Sequence, residues 1–281
     1  MNEVSLPTGI EQLPLHRRRL EAVCAAASSR DDVLGMVIGG SIASGEADEY
    51  SDLDLQLVVE RGGVDMLAAE LRDLAVEAGP VVAAFTAEHV RVPEMLIVLY
   101  EDLIHVDLQP VEVGRLPQRN AGLAAFVLWE RDGRISGTLP WPAPAPGGPT
   151  KDLAWFEGRV WTWSWYIQTK ILRGELYEAL DGLHYVRDRV LFRVLAFQRG
   201  EAGGGSRRIE QHLGPLADRF AATVPAMTQE SVLAALREAM RLYVELADPL
   251  LAEHGLARND AARSVVHRAL DEGLDWQQPE P

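Results

Sequence analysis

The chain has 281 residues, 47% of them apolar and 25% charged, with a formal net charge of −15. This is the composition of a soluble globular protein with one large or two ordinary domains, and it excludes disordered and collagen-like classes. No run reaches the roughly 18 apolar residues that span a bilayer, and the one cysteine, Cys24, leaves no intrachain disulfide and no cysteine zinc site.

The first twenty residues lack the charged-then-apolar order of a signal peptide, so the expected compartment is the cytoplasm. Residues 1–150 hold 23 Asp and Glu against 11 Arg, whereas residues 151–281 hold 19 acids against 16 bases. Nucleic-acid binding is driven by phosphate neutralisation, so the acidic half disfavours DNA or RNA and favours a cationic ligand. Lysine occurs only at Lys151 and Lys170; every other base is arginine.

Residues 16–29 carry Leu20, Val23, Cys24 and Ala27 at helical spacing. Residues 33–40 are β-rich and run into a Gly-Ser turn, and residues 52–59 make a second strand. Residues 64–79 predict a helix closed by Gly79, just past its end. Strand candidates follow at 81–86, 94–100 and 103–111. Helix, strand, turn, strand, helix and three strands describe a mixed sheet with helices packed on it.

The stretch "GTLPWPAPAPGGPTKD", residues 137–152, is rich in Pro and Gly and predicts an extended connection, either a domain boundary or a long surface loop. Taken as a boundary, it gives a first domain at 1–137, a linker at 138–150 and a second domain at 151–281. Beyond it strand signals nearly vanish. Residues 151–173 predict a helix bearing Trp155, Trp161, Trp163 and Trp165, and residues 174–198 and 230–255 repeat the helical spacing. The expected fold class is α+β: a small mixed β-sheet domain with flanking helices, then an all-α helical bundle.

The chemistry concentrates in "VIGGSIASGEADEYSDLDLQLVVE", residues 37–60. Asp52 and Asp54 lie two apart, hence on one face of a strand whose other face is Leu53, Leu55 and Leu57. Carboxylates that close raise each other's pKa unless a cation lies between them. Without a Cβ, Gly39 and Gly40 let the backbone approach a phosphate. On a later strand Asp107 shares a face with His105 and Gln109, as Asp52 and Asp54 do with Gln56. No basic side chain occurs between Arg30 and Arg61.

A Gly-Ser turn after a strand, a ten-residue spacer, an Asp-x-Asp pair and a third carboxylate downstream resemble the nucleotidyltransferase superfamily that shares the catalytic fold of DNA polymerase beta. Within it the chain looks most like the bacterial nucleotidyltransferases that modify aminoglycoside or lincosamide antibiotics. The motif resemblance covers residues 33–111. It implies transfer of a nucleoside monophosphate, AMP from ATP or the counterpart from another nucleoside triphosphate, to a hydroxyl of a small cationic acceptor. Two Mg²⁺ ions about 4 Å apart would assist, held by Asp52, Asp54 and Asp107. Gly39, Gly40, Ser41 and Ser51 would cradle the phosphates.

Lys170 reads either as a phosphate-binding group supplied by the second domain or as a helix-end lysine favoured by the macrodipole. Glu178, Asp181, Tyr185 and Asp188 share one helix face, which either binds a cationic acceptor and deprotonates it or is simply solvated; Asp107 is the competing base. The histidines other than His105 show no ligand spacing and read as structural. Two further readings stand beside the small-molecule transferase: a protein adenylyltransferase of the antitoxin type, and a nucleotide-binding regulator without turnover. The expected partners are thus a nucleoside triphosphate and a small acceptor, with no nucleic acid and no membrane.

Overall fold

The computed structural model describes residues 4–142, 149–201 and 205–272, and the chain divides into two compact units, 1–145 and 146–281. Residues 143–148 of the expected linker lie outside the described residues.

In the first unit the order is α1 (Pro14–Ser28), β1 (Val33–Ile38), α2 (Gly40–Ser44), β2 (Leu53–Val59), α3 (Val64–Glu77), β3 (Val81–Ala87), β4 (Val92–Tyr100), β5 (His105–Glu112), α4 (Leu116–Arg119) and β6 (Phe126–Glu130). One mixed sheet runs β3-β4-β5-β2-β1-β6. β2 and β5 pair in parallel, while the other four pairings are antiparallel. The expected elements are present, but α2, α4 and β6 were not expected. The Gly-Ser turn continues into one turn of helix. β6 has only five residues, too few for a period to emerge, and its partner β1 lies about ninety residues earlier.

Alternation along β2 explains how the sheet is covered. Leu53, Leu55 and Leu57 face a large core with Leu20 and Val23 of α1 and Leu67, Leu71 and Leu74 of α3. Each such leucine contributes about 1.5–3 kcal/mol by leaving water. On the opposite face Val58 joins a smaller core with Val37, Val111, Leu116 and Ile135. That second face is therefore apolar where β2 and β5 end and polar where they begin. Gly35 belongs here by necessity: a Cβ would meet the Trp129 carbonyl oxygen of β6 at 2.5 Å.

Arg19 ties α1 to the far side of this layer. Its guanidinium lies 3.8 Å over the Tyr100 ring, donates to the Ala78 carbonyl at 2.6 Å and pairs with Asp102 at 2.7 Å. Tyr100 in turn donates to the Ala75 carbonyl of α3 at 3.0 Å.

The described residues of the second unit form helices joined by turns and loops, with no strand among them: α5 (Pro149–Glu157), α6 (Val160–Leu172), α7 (Leu176–Val186), a π-helical turn (Arg187–Leu191), α8 (Phe192–Gln198), α9 (Glu210–Leu213), α10 (Ala217–Ala221), α11 (Gln229–Glu253) and α12 (Asp260–Glu272). The single helix expected over 151–173 is broken at Gly158 and Arg159, where glycine removes the side chain that would hold the turn. Trp155 consequently lies on α5 and the other three tryptophans on α6. α11 is capped by Thr228, whose hydroxyl accepts from the Ser231 amide at 3.2 Å. It packs on α6, α7 and α8 around Trp161, Leu183, Leu236 and Tyr243. No described helix is long and apolar enough to cross a membrane.

Glu157 is the buried acid of this unit, 3% exposed. It accepts from Tyr243 Oη at 2.8 Å, the Asn259 amide at 2.8 Å, Arg263 Nε at 3.1 Å and Trp161 Nε1 at 3.2 Å. Burial alone pushes its pKa up, but the hydrogen bonds from Arg263, Asn259 and Tyr243 outweigh it and hold the carboxyl below its ordinary value. A depressed carboxyl stabilises the fold above its unfolded pKa, and that contribution disappears as the pH falls through the folded value. Glu157→Gln is expected to cost about 3 kcal/mol at pH 7, as expected for a buried ion pair that loses one partner. Urea unfolding should show the deficit shrinking toward pH 3; an equal deficit at both pH values would remove Glu157 from the acid response.

Candidate active site

The polar end of the second face is assembled by register. In the parallel ladder Asp54 lies across from Asp107 and Gln56 across from Gln109. Gln56 and Asn120 exchange amide hydrogen bonds of 2.8 and 2.9 Å, and Arg119 of α4 donates to Gln109. Two neighbouring strands thus present carboxylates side by side, with an amide layer behind them.

The glycine turn lies against this pair. The Gly39 amide donates to the Asp54 carbonyl at 2.9 Å. Gly40 has φ +63°, and a Cβ there would stand 2.1 Å from Asp54 Oδ2, whereas one on Gly39 would meet nothing nearer than 3.9 Å. Gly40 is therefore the residue that lets backbone and carboxylate meet. Ser41 follows, 7% exposed, its Oγ buried with no hydrogen-bond partner among the described residues.

Asp107 Oδ1 is likewise buried with no hydrogen-bond partner among the described residues. His105 Nε2 is 3.4 Å from it, without hydrogen-bond geometry, and His105 Nδ1 is 4.0 Å from Asp52 Oδ2. Burial pushes the Asp107 pKa up and Asp52 adds to that, against the opposing influence of His105 and His89. Ser51 is occupied locally: its hydroxyl donates to Asp48 Oδ1 at 3.1 Å and accepts from the Asp48 amide at 3.0 Å. Its carbonyl accepts from His16 Nε2 at 2.8 Å.

Among the described residues no three His, Cys, Asp or Glu side chains form a ready metal cluster. The donor set nevertheless fits a hard divalent ion. It consists of carboxylate oxygens, one of them buried and unpartnered, and Mg²⁺ is normally held by one or two carboxylates completed by phosphates and water.

The other expected site residues belong to the second unit. Lys170 pairs with Glu175 at 2.9 Å and Glu178 at 3.0 Å and lies beside the Tyr166 ring. Those two hydrogen-bonded carboxylates raise its pKa. Glu178 also accepts from the Tyr166 hydroxyl, which with Lys170 lowers its own pKa. Asp181 and Tyr185 are exposed on α7, and Tyr185 is 43% exposed with its ring edge-on to Trp163. The sequence reading missed Arg119 and Asn120, and it assigned His89 and His16 no part in this region. The approach of these residues to the polar face arises from pairing and loop closure, which no spacing reveals.

Residues 19–104 match the family described as nucleotidyltransferase domain. The chain carries a nucleotidyltransferase domain over this span. The matched span holds Gly39, Gly40, Ser41, Asp52 and Asp54 and stops short of Asp107. No curated protein matches this chain in sequence.

Among solved structures, the chain is similar to an aminoglycoside 6-adenyltransferase from Bacillus subtilis: 14% identity, TM-score 0.41, covering 89% of this chain and 95% of that one. It is also similar to a nucleotidyltransferase-like protein from Exiguobacterium sibiricum 255-15: 10% identity, TM-score 0.35, covering 87% of this chain and 80% of that one. A CCA-adding enzyme matches at 10% identity and a TM-score of 0.29, covering 94% of this chain and 91% of that one. Likenesses this distant leave the substrate to the chemistry of this chain.

Two substitutions test the geometry. Gly40→Ala should cost about 1–2 kcal/mol from its left-handed backbone and abolish any stabilisation by Mg²⁺, while Gly39→Ala should be nearly neutral in thermal melts. Asp107→Asn should raise the melting temperature at pH 7 in the absence of metal, because the raised pKa means that its charge opposes folding. The gain should vanish below the ordinary carboxyl value of 3.8. A melting temperature lowered by Asp107→Asn at pH 7 would contradict the burial argument.

Proposed function

We propose that this protein is a nucleotidyltransferase that moves AMP from ATP to a hydroxyl of a small cationic acceptor of the aminoglycoside or lincosamide kind. The observation that carries the reading is the register of Asp54 with Asp107 against the Gly40 turn. The acceptor oxygen forms a bond to the α-phosphorus as the bond to the β-phosphate oxygen breaks, and pyrophosphate leaves.

When bound, Mg²⁺ supplies charge stabilisation for the attacking and leaving oxygens. Asp52, Asp54 and Asp107 would hold it. Backbone at Gly39 and Gly40, with the unpartnered Ser41 hydroxyl, binds and orients the phosphates. Ser51 first has to release Asp48 to join them. The hydroxyl proton passes to a carboxylate of the same polar face, where Asp107 Oδ1 is unpartnered. The acidic first half of the chain attracts a cationic acceptor. In the second unit Asp181 is the exposed candidate to contact it, while Lys170 is held by Glu175 and Glu178.

The test is mass spectrometry of reactions containing the protein, Mg²⁺, a nucleotide mixture and a panel of aminoglycosides, lincosamides and cell-extract metabolites. A nucleotidylated small molecule made by the wild type, and at least ~10³-fold less by Asp52→Asn with Asp54→Asn, is the expected result, as befits loss of charge stabilisation at the transition state. Added mass on a protein of the extract would favour a protein adenylyltransferase instead. Nucleotide binding with no product anywhere would sink the catalytic reading in favour of a regulator.

A further inference from the structure

The helical unit contains an open cavity of about 430 Å³ built by α5, α7, the π-helical turn and α8. Its walls are aromatic. Trp155 is 40% exposed and Tyr185 43% exposed. Trp163 stands edge-on to both rings, at 5.2 and 5.3 Å between centroids, and Arg159 lies 4.6 Å over Trp155. Trp163 and Arg159 thus hold the two rings in place, and the exposed part of each remains available to a planar group.

The charge around them has the opposite sign to that of the chain. Asp152 at the cavity is taken by Arg193, which donates to Oδ2 through Nε and Nη2, both at 2.9 Å. That leaves Lys151, which has no ion pair among the described residues, and Arg189, 70% exposed with one contact to Asp188 at 3.2 Å. A locally basic, aromatic recess on a protein of net charge −15 repels cations and fits a flat anion.

We propose that the helical unit binds a planar aromatic molecule bearing a carboxylate or phosphate in this cavity. The ring lies between Trp155 and Tyr185, and the anionic group meets Lys151 and Arg189. The proposal does not rest on the nucleotidyl-transfer reading, since it requires no residue of the first unit. It adds a ligand of opposite charge to the cationic acceptor proposed above. A ring with a phosphate describes a nucleotide as well as an unrelated metabolite, so the experiment separates the two sources.

The test uses the full chain carrying Asp52→Asn and Asp54→Asn, without Mg²⁺, so that binding at the first unit is suppressed. Tryptophan fluorescence and calorimetry follow titration with 1-naphthoate, AMP, and naphthylmethylammonium as the charge control. Saturable binding of 1-naphthoate is expected, with the ammonium compound about tenfold weaker, the size of two partly exposed charge pairs. Lys151→Glu with Arg189→Glu should remove that preference, and Tyr185→Ala should weaken both rings. All three positions are substantially exposed, so the fold should survive, which far-UV dichroism checks. AMP binding with the same variant sensitivity makes a nucleotide the ligand source; 1-naphthoate binding without AMP points to a carboxylate. Equal affinity for the ammonium compound, indifference to the charge reversals, or no saturable binding of either anion overturns the proposal.

Discussion

In the parallel ladder between β2 and β5, two strands some fifty residues apart are locked so that Asp54 faces Asp107 along the sheet. A parallel pair cannot be joined by a tight turn. The intervening chain therefore makes α3, β3 and β4 before returning, and these elements cover or extend the sheet that holds the pair. Adjacent carboxylates are costly in a half-buried setting, and they are tolerated because the rest of the face is satisfied. Leucines anchor the reverse side of β2, amides bond one another behind the acids, and Val58 and Val111 close the far end. A one-residue slip would bury both acids against α1 and α3. The leucine pattern therefore enforces the position of the acids.

Much of this was legible because it is local. Alternation in residues 52–59 and 103–111 has a period of two, and it separated acids from leucines before any pairing was known. The requirement for glycine at residue 40 was visible as a type of residue, although its physical reason, the approach of Asp54 Oδ2, emerged only in three dimensions. The non-local features were hidden. β6 is short and pairs across most of the unit; His16 meets Ser51 from α1 and His89 lies near Asp107 from the turn before β4; and Gly158 splits a run whose apolar spacing continues across the break.

The second unit shows how a charge pattern on a helix differs from a charge pattern in space. Lys170 and Glu178 share no motif, yet they neutralise each other beside Tyr166. Glu178, Asp181 and Tyr185 fall on one helical face, but each has a different environment: an ion pair, solvent, and the edge of Trp163. Periodicity places side chains on a face and says nothing of the partners that neighbouring helices supply.

The sheet order bears on where this protein can be cut. The span that matches the nucleotidyltransferase domain family ends at residue 104, before β5 and β6. A fragment trimmed to that span would contain β2 without β5, its parallel neighbour, and β1 without β6. Strands that are central in the intact sheet would become bare edges, with unpaired amides and carbonyls open to other chains. The recognisable segment is thus smaller than the smallest piece with a closed hydrogen-bond inventory, which extends at least through Glu130.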